Sequence, residues 1–142
     1  MKHPLYLNLP TVDVARTRRF VEALDLDVDP QFTGEHAVCV QLNEGTRLMF
    51  LARQLFQSFT TKPAGDPMAS TQHFLTLSFE SRDAVDDFHR RAVEAGATTE
   101  HDAEESESMY QRAFNDPDGH QWGLFWMDAS NMPPAPRSSP AT

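Results

Sequence analysis

The sequence predicts an α+β fold built from two βαβββ modules, and three observations predict it. A strand-like run followed by an amphipathic helix occurs twice, with Asp13 and Phe20 in the first copy matching Ser81 and Phe88 in the second. Each helix is followed by short apolar runs parted by turn residues. A stretch rich in Pro and Gly separates the two copies.

In order along the chain, Leu5-Tyr6-Leu7-Asn8-Leu9 reads as the first strand. Asp13 is placed to accept the free N–H groups of the following helical turn. Val14, Thr17, Val21 and Leu24 then recur at helical spacing, with Phe20 beside them. Val28 to Phe32, His36 to Leu42 and Thr46 to Ala52 are three candidate strands, parted by Thr33-Gly34-Glu35 and Asn43-Glu44-Gly45. Leu55, Phe56 and Phe59 suit one helical turn over an apolar surface. Thr60 to Ser70, with Pro63, Gly65 and Pro67, reads as a linker.

His73-Phe74-Leu75-Thr76-Leu77-Ser78-Phe79 opens the second copy. Ser81 is the expected N-cap of a helix with Ala84, Val85, Phe88 and Ala92 on one face, ending at Gly96. Ala97 to Asp102, Ser108 to Asn115 and His120 to Met127 are its three strands, and Asp116-Pro117-Asp118-Gly119 is a strong turn signal. The expected organisation is a first module over 1–60, a linker over 61–70 and a second module over 71–129. A Pro-rich tail covers 130–142, with four prolines in thirteen residues and little to bury.

Composition narrows the function classes. The 142 residues carry a formal charge of −9, with 39% hydrophobic and 23% charged residues. Such a surface repels phosphate backbones and anionic lipid, so neither nucleic acid nor membrane is an expected partner. Apolar runs such as Leu48-Met49-Phe50-Leu51-Ala52 are too short to span a bilayer, and the first residues do not read as a signal peptide. The lone Cys39 has no partner for an internal disulfide and reads as a buried, inert thiol. A cytoplasmic location is the expectation.

The repeat, together with Leu7-Asn8-Leu9-Pro10, Asp13 and Phe20 and with Asn115-Asp116-Pro117-Asp118-Gly119-His120 running into Trp122, resembles the vicinal oxygen chelate superfamily. That superfamily includes glyoxalase I, bleomycin-resistance proteins and extradiol dioxygenases. The branch it most resembles, from Leu5 to about Asp128, is the one labelled predicted lactoylglutathione lyase. The resemblance implies that the two sheets pair into a curved cup with helices outside and the ligand in the concavity. It also implies that metal-binding members place four ligands on the first and last strands of both modules, here Tyr6, Phe50, His73 and Gly123. Of these, only His73 is an ordinary ligand for a divalent ion. No metal or other cofactor is therefore expected.

The expected ligand-binding residues are His73, Tyr6, Asn8, Phe50, Leu75, Tyr110, Arg112, Gly123 and Phe125. His73 suits a hydrogen bond to a ligand or general-base work, and equally a satisfied rim residue. Phe50, Leu75 and Phe125 would make the cup apolar. Tyr110, Arg112 and Phe114 alternate onto one face, where Arg112 could hold a carboxylate or phosphate bidentately or pair with an acidic side chain. Trp122 and Trp126 read as packing under the helices. His89 is assigned to the polar side of its helix. His36, His101 and His120 show no metal-site spacing, and the acidic run Asp102 to Glu107 reads as a solvated hairpin. The expected function is metal-free binding of a small, partly apolar organic ligand by a homodimer. The alternative is a lyase or isomerase acting on a small carbonyl or thiol-conjugated substrate, with His73 or Tyr6 moving the proton.

Overall fold

The computed structural model describes residues 2–99 and 101–131. Of the expected tail over 130–142, Ser130 and Asn131 belong to a 3-10 turn over Ala129–Asn131, and residues 132–142 lie outside the described residues. Strand β1 (Leu5–Thr11) leads into α1 (Val14–Ala23), β2 (Asp27–Val28), β3 (Ala37–Asn43), β4 (Thr46–Ala52) and the short α2 (Arg53–Ser58). The second module runs β5 (Phe74–Ser78), α3 (Arg82–Glu94), β6 (Thr98–Thr99), β7 (Glu104–Glu105), β8 (Met109–Asn115) and β9 (Gln121–Met127). The first sheet has the order β1-β4-β3-β2; the second has β5-β9-β8-β6, with β7 also on β8. In both, the first strand lies parallel to the last and the remaining pairs are antiparallel, which is the βαβββ repeat.

The expected signals act at the expected places. Asp13 Oδ1 accepts from Arg16 N at 3.0 Å and Ser81 Oγ from Ala84 N at 3.0 Å, so each cap satisfies an otherwise free donor of the first turn. Gly96 ends α3 at φ +113°, and Gly119 closes the β8–β9 turn at φ +99°. Two expected strands are much shorter. Val28 to Phe32 keeps only Asp27–Val28, because Asp29 caps a 3-10 turn over Pro30–Phe32 and Pro30 has no N–H for the ladder. Among the described residues, Ala97 to Asp102 keeps only Thr98–Thr99, and the acidic run supplies a separate exposed strand at Glu104–Glu105.

One core serves both modules. Leu9, Leu48 and Phe50 from the first sheet, Leu75, Trp122 and Leu124 from the second, and Phe20, Val21, Val85 and Phe88 from the helices form a single buried cluster. The Phe50 and Trp122 rings lie nearly parallel with centroids 6.5 Å apart, and Phe20 meets Phe114 edge-on at 6.1 Å. Trp122 is fully buried, and Trp126 packs against the cluster beneath the Arg82 guanidinium. His89 departs from expectation: it is buried and bonded to Thr99 at 3.3 Å rather than on a polar face. Val85, Phe88, His89 and Ala92 make one stripe, and burial with the nearby Arg112 holds the imidazole below its usual range.

Candidate functional site

Side chains alternate across a strand, so the face that carries the shared core fixes which residues are left for the other face. In the first sheet Leu9, Leu48 and Phe50 look into the core. Tyr6, Asn8, Arg47 and Met49 therefore lie on the outer face. In the second sheet Leu75, Trp122 and Leu124 look inward, leaving Phe74, Thr76, Gln121, Gly123 and Phe125 outward. Because both sheets turn their helix-side faces to one core, their outer faces point away from each other within one chain.

This geometry corrects two of the four expected cup positions. Phe50 is buried in the core beside Trp122, one residue out of phase with the outer face. His73 precedes β5 and has the inward parity of Leu75. The internal repeat gives the proper equivalents. Tyr6 and Phe74 stand 68 residues apart, the same offset as Asp13 and Ser81. Gly123 pairs with Thr76, as Met49 pairs with Asn8. The repeat-related outer positions are thus Tyr6, Met49, Phe74 and Gly123. Their donor set is a neutral phenol, a thioether, a phenyl ring and no side chain, which does not fit a catalytic divalent ion. Among the described residues no group of three His, Cys, Asp or Glu side chains is placed to hold a metal.

Other expected contacts are relocated by the same parity. Leu75 is in the core. Tyr110 and Arg112 share a face with Phe114 as the alternation predicts, but it is the helix-side face. There Tyr110 donates to Asp86 Oδ1, and Arg112 Nη1 approaches the same carboxylate at 3.4 Å. That hydrogen bond, reinforced by burial, pushes the Tyr110 phenol above its usual range. Arg112 therefore pairs with an acidic side chain, the structural option of the two.

Asn8, Tyr6, Gly123 and Phe125 do lie on the outer faces. The outer face of the second sheet holds a cavity of about 140 Å³ lined by Phe74, Thr76, Gln111, Gln121, Gly123 and Phe125, with His101 and Glu104 at its border. On the first sheet, Arg47 Nη1 donates to Tyr6 Oη at 2.9 Å and its guanidinium sits 5.4 Å from the Tyr6 ring centre. Its Nε is buried without a hydrogen-bond partner, the nearest carboxylate being Asp29 at 3.9 Å. No sequence motif marks Arg47; its place beside Tyr6 follows from the pairing of β1 with β4. Cys39 is buried beside Met49, and burial raises its thiol further from reactivity.

His73 sits instead at the seam between the modules, its ring stacked on His120 with centroids 6.4 Å apart. His120 is 7% exposed and its Nε2 bonds the Pro10 carbonyl at 2.8 Å. The turn before it knits the modules together. Asp116 accepts from the N–H groups of Asp118 and His120 and from Trp122 Nε1 at 3.1 Å. Its burial raises the carboxyl above the usual range, against the pull of His120 and Trp122. Asp118 crosses to the first module, accepting from Val12 N, Arg16 Nη2 and Thr17 Oγ1. The Asp-Pro-Asp-Gly-His string is thus an inter-module clamp.

Comparison with known proteins extends this picture. Curated proteins give no significant match. The fold is similar to that of a glyoxalase/bleomycin resistance protein/dioxygenase family enzyme from Burkholderia phytofirmans PsJN, at 17% identity over 89% of this chain and 99% of the other, with a TM-score of 0.73. It is also similar to the fosfomycin resistance protein FosX from Mesorhizobium loti (12% identity, 92% and 96% covered, TM-score 0.65). TnmS3, an antibiotic binding protein from Streptomyces sp. CB03234, gives 20% identity, 90% and 98% coverage and a TM-score of 0.63. Residues 3–124 match the family model for the glyoxalase/bleomycin resistance protein/dioxygenase superfamily. That match takes in the whole first module and the second as far as the middle of β9, and the chain belongs to this superfamily.

Proposed function

We propose that the protein binds a small, partly apolar organic ligand on its outer sheet faces without a metal ion. The observation that carries this reading is the set Tyr6, Met49, Phe74 and Gly123, apolar or donor-poor at every repeat-related position. Around it stand neutral hydrogen-bonding side chains, Asn8, Thr76, Gln111 and Gln121, which orient a ligand rather than activate one. Arg47, propped by Tyr6, offers a guanidinium to a carboxylate or phosphonate on that ligand. An antibiotic-binding protein among the structural neighbours supports the same reading.

A complete cup needs two outer faces turned toward one another, so the proposal includes a homodimer. β1 and β5 are both edge strands. Between them runs an apolar groove of about 470 Å³, lined by Leu5, Leu7, Leu48, Leu75, Leu77 and Phe79 among others. Exposed strand edges flanking apolar surface favour pairing. A two-fold axis that sets β1 of one copy beside β5 of the other would bring Tyr6 and Met49 opposite the partner's Phe74 and Gly123.

The test joins light scattering to a thermal-shift screen of small aromatic and aliphatic acids, amides and antibiotics. The expected mass is twice 16.0 kDa, and the expected hits lose their stabilising effect in Thr76→Trp, which fills the cup from an exposed position. A monomer at micromolar concentration, or hits indifferent to Thr76→Trp, would overturn the reading. Turnover of a hemithioacetal on adding nickel or zinc would establish the lyase alternative.

A further inference from the structure

α2 and the linker build a second, half-open pocket at the end of the sheets. Arg53 donates from Nη1 to Gly65 O at 3.0 Å and from Nη2 to Ala64 O at 2.8 Å. Gln57 bonds Lys62 O at 2.8 Å through Nε2 and accepts from Ala64 N at 2.6 Å. Four hydrogen bonds to backbone groups make the linker a fixed wall. Gly119 lets that wall close: a Cβ there would stand 2.9 Å from Pro67 C and Met68 N. The result is a cavity of about 210 Å³ whose lining includes Pro10, Phe56, Pro67, His73, His120 and Gln121. A dry cavity of about 150 Å³ accommodates benzene, so this one has room for a single ring with a polar substituent.

Its polar groups select the substituent. The Pro10 carbonyl can only accept, so His120 Nε2 carries the proton in that bond, and in the imidazole form Nδ1 is an acceptor. His73 covers that ring and the Gln121 amide adds a donor and an acceptor. Phe56, Pro10 and Pro67 supply the apolar walls. Asp66 also borders the space, its Oδ1 accepting from Met68 N at 2.9 Å, and its charge opposes an anion.

We propose that this seam cavity is a binding site for a neutral single-ring molecule bearing a hydrogen-bond donor, such as a phenol or an aromatic amide. It is distinct from the outer-face cup, with which it shares only Gln121 among its lining residues. For a ligand of this size the expected Kd is of the order of 1 mM.

The experiment is a ¹H–¹⁵N NMR titration of the full chain with phenol and benzamide, with benzoate as the anionic control. The expected result is saturable shifts at Phe56, Gln72 and His73, with Thr76 and Gly123 unmoved and benzoate about tenfold weaker. Phe56→Ala should weaken phenol binding about three- to tenfold, the loss of one aromatic contact. His73→Ala, at an exposed position, should also weaken it. Thr76→Trp should leave it unchanged. No saturation by about 20 mM, far above a Kd of that order, would overturn the proposal. So would shifts centred on Thr76 and Gly123, or a normal phenol affinity in both Phe56→Ala and His73→Ala.

Discussion

Replacing Asp118 with alanine tests whether the Asp-Pro-Asp-Gly turn clamps the modules. The carboxylate is 4% exposed and accepts from Val12 N at 3.0 Å, Arg16 Nη2 at 3.0 Å and Thr17 Oγ1 at 3.2 Å. Hydrogen bonds to a charged group contribute about 1.5–3 kcal/mol each, but the three do not sum fully here. Arg16 is 36% exposed and can be rehydrated, so its share is discounted to about 1 kcal/mol or less. Thr17 keeps its 2.7 Å bond to Thr11. The expected loss is about 3 kcal/mol, equivalent to roughly 6–12 °C in Tm for a domain of this length. Asp118→Asn keeps an acceptor of the same shape and should lose about half as much. Urea titration followed by the fluorescence of Trp122 and Trp126 and by far-UV circular dichroism gives the values. A loss below about 1 kcal/mol in Asp118→Ala, the ordinary cost of one exposed cap, would refute the clamp.

Gly119→Ala should cost about 2 kcal/mol or more, since alanine is strained at φ +99° and its Cβ meets the Met68 backbone; Gly34→Ala, with open space around it, should fall within about 0.5 kcal/mol of the parent. Phe50→Ala should cost about 3–5 kcal/mol by opening a cavity against Trp122, measurable by the same urea titration. His89 is held below its usual 6.5, so the unfolded chain takes up a proton that the folded chain refuses. Its contribution is therefore complete above pH 6.5 and is lost as pH falls below that value through the depressed folded-state pKa. In His89→Gln the slope of stability against pH over that window should lessen; an unchanged slope would show that another group sets it.

The repeat and its boundaries were legible because they rest on local chemistry. Asp13 and Ser81 are caps, Gly96 and Gly119 need positive φ, and the apolar periodicities mark the helices and the long strands. The site was less legible because it depends on register. Tyr110, Arg112 and Phe114 alternate visibly, yet alternation alone does not say which side of the sheet they occupy; Asp86 on α3 decides it. His73 and Phe74 differ by one residue at a strand start; the 68-residue offset of Asp13 and Ser81 already points to Phe74, and its pairing with Gln121 fixes the phase. The same slip put Phe50 in place of Met49. His89 was readable, since Val85, Phe88, His89 and Ala92 share one stripe at helical spacing. The brevity of β2 followed from Pro30, a residue in plain view.

The central claim is that the outer faces hold an organic ligand without a metal ion. Elemental analysis of untagged protein, purified without chelator and dialysed against trace zinc, nickel, iron and manganese, tests it most directly. A donor set of phenol, thioether, phenyl and glycine predicts less than about 0.1 metal ion per chain. One ion per chain, lost on Tyr6→Phe, would contradict it.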